Sequence, residues 1–127
     1  MKHDPVKLFD RVPDGIQMAP AGVRELAEHA GVELHEIELA SLHSKHGLMD
    51  AFASGLELGE SFGHNWDALY DVLADPEAGV ARRALLLIGL EDFAVRCPEL
   101  ARELESVLLD AQAALAEAHQ SLWLLSG

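Results

Sequence analysis

Short apolar runs and stretches of helical periodicity take turns along this chain. Residues 15–19 (GIQMA) read as a short strand. Pro20 suits a helix start, and Val23, Leu26, Ala27 and Ala30 follow at helical spacing until Gly31 stops them. Residues 33–39 (ELHEIEL) read as a second strand. Residues 45–56 read as a helix with Leu48, Met49, Phe52 and Leu56 on one face, followed by a glycine-containing loop, LELGESFGH. Asn65 is a good N-cap for a helix over roughly 66–74, which Asp75-Pro76 ends. Residues 84–88 (ALLLI) are continuously apolar, as a strand covered on both faces of a sheet would be. Pro98 fits the first turn of a long helix whose buried stripe is Leu100, Leu104, Val107, Leu108, Ala111, Leu115 and Ala118. Residues 121–125 (SLWLL) read as one more buried strand.

Strands separated by helices imply an α/β fold: a small parallel sheet of three or four strands packed with helices. ALLLI belongs in the interior of that sheet, with helices 45–56 and 66–74 grouped on one side. At 127 residues, half of them hydrophobic, the chain is the size of one domain with a real core, not a disordered segment. No apolar run approaches the ~20 residues that cross a bilayer, and the start, MKHDPVKLFD, lacks the apolar stretch of a secretory signal. A single cysteine, Cys97, excludes an internal disulfide framework and points to a cytoplasmic address.

Charge narrows the partner. The net charge of −13 disfavours phosphate-led binding of nucleic acid and favours a positively charged protein. From His46 to Ala81 there is no Lys or Arg, yet the stretch holds Asp50, Glu57, Glu60, Asp67, Asp71, Asp75 and Glu77. Within it, on the helix that Asn65 begins, Trp66, Leu69 and Leu73 fall on one side and can pack inward. Asp67 and Asp71 share another face, with Tyr70 beside them. Like charges at that spacing cost an isolated helix a few tenths of a kcal/mol, of which Asp67 regains part at the helix N-terminus. An acid pair poor for the monomer, flanked by an aromatic and a glycine loop, suits a cationic partner. It equally suits an ordinary amphipathic helix whose wet face is acidic.

Phe62-Gly63-His64-Asn65-Trp66-Asp67-Ala68-Leu69-Tyr70-Asp71 resembles the motif of the barstar family, inhibitors of barnase-type ribonucleases. That motif runs aromatic, Gly, any residue, Asn, apolar, Asp, Ala, Leu, aromatic, Asp. From about residue 33 onward the order of elements is also similar: strand, helix, short helix, strand, short helix, long helix, strand. The chain then reads as one domain over 1–127, with residues 1–32 an extension before a core at 33–127.

The resemblance implies an intracellular, immunity-type inhibitor of a basic, barnase-like ribonuclease, secreted or part of a toxin. Loop and helix 60–74 would plug its active site, with no cofactor. By matching position, Asp71 would take the phosphate's place among the enzyme's Arg and His side chains. Asp67 would pair with a second basic group, and Tyr70 would be the aromatic contact. Gly63 would let the backbone approach closely, while Glu60, Ser61, Phe62 and His64 would join the contact surface. Asn65 would cap and brace the helix, with Trp66 and Leu69 structural. The chain departs from the family at Ser61, often an aromatic, and at Tyr70, more commonly Trp. It departs again around Gln112 and Ala113, where the family's long helix supplies a Glu, although Glu117 lies one turn later. The alternative is an acidic interaction or regulatory module that keeps the fold and binds a partner other than a ribonuclease.

Other chemistry is weaker. Gly59-Glu60-Ser61-Phe62-Gly63 spells the nucleophile-elbow pattern, but a helical pattern precedes it where the elbow needs a strand. His35, His43 and His46 lack further fixed ligands for a metal and read as surface histidines. Asp67 and Asp71 as an acid/base pair would need a substrate pocket, and Cys97 reads as a capping or half-buried thiol.

Overall fold

A computed structural model of the chain describes residues 5–77 and 80–127. A 3₁₀ helix, Pro5–Asp10, leads to β1 (Ile16–Met18), α1 (Val23–Ala30) and β2 (Glu33–Glu38). Next come α2 (Lys45–Gly55), α3 (Trp66–Leu73), β3 (Arg82–Ile88), α4 (Leu90–Arg96), α5 (Pro98–Glu117) and β4 (Ser121–Ser126). The four strands form one parallel sheet in the order β1-β4-β3-β2, with Ile37 opposite Leu87, Leu85 opposite Leu124 and Ala84 opposite Trp123. ALLLI lies in an interior strand, as its continuous apolar run requires.

Alternate residues of β3 serve two cores. Leu85 and Leu87 join Ile37, Leu122 and Leu124 against Leu48, Met49 and Phe52 of α2, Leu69 and Leu73 of α3, and Phe93, Leu104 and Leu108 of α4 and α5. Helices α2 and α3 thus share a face. Ala84 and Leu86 join Trp123 and Leu125 on the other face, under Val23 and Ala27 of α1, Val32 and Phe9. Phe9 meets Trp123 edge-on, with ring centroids 5.1 Å apart. Helix α2 sits so close to β2 that a methyl group at Gly55 would come within 2.6 Å of the Glu36 carbonyl.

The starts of two elements differ from the sequence reading by two residues or more. The first helix starts at Val23, after Gly22 at φ 72°, leaving Pro20 outside it. Strand β3 starts two residues before the apolar run, at Arg82. The Arg82 guanidinium donates to the carbonyls of Ala30 and Phe9 and stacks over Trp123, so this charge ties the leading segment to the sheet. Helix α4 follows Gly89 at φ 79° and is the short helix that the family's order of elements implies; its seven residues are too few for periodicity to mark them.

Candidate functional site

The site is built outward from Asn65. Its backbone is extended (φ −140°), and its Oδ1 accepts from the Ala68 N–H at 2.8 Å, satisfying one orphan donor of the first turn of α3. Its Nδ2 donates to the Gly63 carbonyl at 3.1 Å, so one side chain fixes both the helix start and the loop before it. A methyl group at Gly63 would sit 3.2 Å from both Ala68 Cβ and Asn65 Nδ2. The missing side chain at 63 therefore makes room for the cap itself.

Leu69 and Leu73 of α3 are fully buried, while Trp66 and Tyr70 are half-buried against the same core. Asp67 and Asp71 stand one turn apart on the exposed side. Among the described residues, neither has an ion-pair partner. Asp71 borders a shallow concavity of about 270 Å³, lined also by Leu58, Gly59, Ser61, Phe62, Gly63, Ala68 and Val72. Asp67, Tyr70, Glu60 and His64 lie outside that lining. Glu60, Ser61 and Gly63 are exposed. Phe62, expected on the contact surface, is only 8% exposed and packs into the core, because an aromatic this close to Leu69 and Leu73 gains more from burial than from water. It underlies the loop instead of projecting from it.

Sequence reasoning missed the support behind this loop. His64 takes the left-handed φ of 51°. Its Nδ1 lies 2.9 Å from the Phe62 carbonyl, and its Nε2 lies 3.2 Å from Asp50 Oδ1 on α2. Asp50 Oδ2 lies 3.2 Å from His46 Nε2. The i, i+4 spacing of His46 and Asp50 was visible in the sequence, but nothing local joins Asp50 to His64. Lys45 Nζ approaches the Trp66 ring centroid at 6.0 Å, placing a cation beside the start of α3.

On α5, Gln112 does not face the site. It is buried, accepts from the Gly15 N–H and donates to the Leu122 carbonyl. Ala113 and Glu117 are exposed. The segment around Ser61 runs from α2 through a turn and loop into α3, without the strand an elbow needs. Among the described residues, no group of three or more His, Cys, Asp or Glu side chains is placed to hold a metal ion, and no helix is long and apolar enough to cross a membrane.

A parallel sheet in this helix order, carrying an asparagine-capped acidic helix beside a glycine loop, defines a barstar-type α/β protein. The sequence model of that family, described as Barstar (barnase inhibitor), matches residues 32–127, so the chain belongs to the barstar family. A search of curated proteins found no match.

Proposed function

We propose that this protein is an immunity-type inhibitor that binds a basic, barnase-like ribonuclease and fills its active site with the acids of α3. The observation that carries this reading is the pair Asp67 and Asp71: exposed, one turn apart, and without an ion-pair partner among the described residues. Like charges one turn apart repel in the monomer, whereas a ribonuclease must present cations to bind its phosphate substrate. Asp71, beside the concavity, enters deepest and takes the place of the scissile phosphate. Asp67 meets a second base, and Tyr70 packs its ring against the enzyme. Asn65 and the loop at 60–64 hold this arrangement before binding, which lowers the ordering cost of association. The net charge of −13 draws a basic enzyme in from a distance.

The protein performs no hydrolysis of its own in this reading, and Ser61 is a loop residue. The single Cys97 fits action in the reducing cytoplasm. The test is RNA cleavage by barnase, and by a panel of small basic ribonucleases, titrated with the folded protein. We expect cleavage by a cognate enzyme to vanish at a one-to-one ratio, with Ser61→Ala as effective as the wild type. A folded protein that leaves every enzyme untouched at excess overturns the proposal and favours the acidic interaction module.

A further inference from the structure

The Asp50 carboxylate lies between two imidazoles. Oδ1 is 3.2 Å from His64 Nε2 and Oδ2 is 3.2 Å from His46 Nε2, with the rings inclined by 23° and their centroids 6.3 Å apart. The other nitrogen of His64, Nδ1, is 2.9 Å from the Phe62 carbonyl, and the His64 ring packs on Phe62 at a centroid distance of 4.9 Å. Both oxygens that face His64 can only accept. An imidazole with one N–H donates to one of them, and an imidazolium donates to both. A neutral His64 therefore gives up either Asp50 or the Phe62 carbonyl. Its left-handed φ of 51° needs outside contacts to persist, and these are the two on hand.

We infer that Asp50 is a positioning residue for the contact loop: it latches the His64 imidazole to α2 and so holds Phe62 and Gly63 in place beside Asp71. This rests on reading the loop as a contact surface. The groups facing His64 are Asp50 from α2 and the Phe62 carbonyl and ring from the loop, with His46 beyond Asp50. Among the described residues, no other charged group comes within ion-pair distance of His64. His46 is largely exposed and holds the second oxygen, so it shares the carboxylate without forming the latch.

The test uses the whole chain with no partner. Asp50→Asn, His64→Asn and the double variant form a cycle, with asparagine at 64 because it tolerates a left-handed backbone. The His46 contribution cancels, since it is lost equally in both arms. Unfolding equilibria at pH 5.5 should show a coupling of roughly two- to fivefold, the size of an exposed ion pair. At pH 8 the coupling should be weaker, because a neutral imidazole has one N–H for two acceptors. In Asp50→Asn at pH 5.5, amide-exchange protection over residues 58–63 should fall by the same factor. No coupling at pH 5.5, equal coupling at both pH values, or unchanged loop protection overturns the inference. Failure here is separable from failure of the inhibitor reading, because neither readout involves a ribonuclease.

Discussion

Gln112 grips Gly15 by both of its backbone groups: Oε1 accepts from the Gly15 N–H at 2.9 Å, and Nε2 donates to the Gly15 carbonyl at 3.3 Å. The same Nε2 donates to the Leu122 carbonyl at 2.9 Å. One amide on α5 thus clamps the entry to β1 beside β4. Gln112→Ala leaves these groups unpaired and should lower stability by about 1–3 kcal/mol. Gln112→Glu should cost more at neutral pH, because a buried carboxylate cannot donate to either carbonyl. Urea denaturation of both variants, with the order Gln, Ala, Glu from most to least stable, checks this.

The two cores explain what the sequence could and could not show. ALLLI announced its strand because both faces of β3 are covered, and the Asn65 helix was legible because cap and apolar stripe lie within nine residues. Arg82 and Arg83 concealed the start of β3, since the purpose of Arg82 appears only once Phe9 and Ala30 are beside it. The resemblance puts Phe62 on the contact surface, whereas its burial comes from a core that α2 and α3 help to complete. The Asp50–His64 contact crosses a loop whose path no local pattern sets.

Asn65→Ala tests whether cap and loop are one unit. Losing the cap should cost about 1 kcal/mol of stability. The loss of the Gly63 contact also frees the loop, so affinity for a cognate ribonuclease should fall further than stability does. Asn65→Asp keeps the capping oxygen and loses the donor to Gly63. It should restore stability while leaving affinity reduced, as read by thermal denaturation beside binding kinetics.

Arg24 on α1 holds Glu36 on β2 by two hydrogen bonds, one of them 2.9 Å long. The hydrogen bond from Arg24 lowers the Glu36 pKa below its ordinary 4.5. A depressed carboxylate contributes stability above its unfolded value and loses it as pH falls through the folded one. Wild type should therefore exceed Glu36→Gln in stability from about pH 5 upward, with the gap closing below about pH 4. Both side chains are exposed, so the gap should be small and shrink in high salt. Melting temperatures against pH at two salt concentrations decide it; a gap that widens in acid would contradict this account.

Asp71→Ala should separate folding from function most cleanly. Asp71 is exposed, without an ion-pair partner among the described residues and one turn from Asp67, so its removal relieves a like-charge contact and should leave stability unchanged or raise it by a few tenths of a kcal/mol. Binding should respond oppositely. With Asp71 gone, the enzyme's basic cluster is buried with nothing to pair with, a loss of several kcal/mol expressed mostly as faster dissociation. Asp110, exposed on α5, provides the contrast: its removal weakens only the long-range field, so it should slow association at low salt and do nothing at high salt. Stopped-flow association and dissociation rates for both variants, beside their melting temperatures, make the comparison. Dissociation of Asp71→Ala as slow as that of the wild type would mean that the acidic helix does not enter the active site, even though the fold is that of the family.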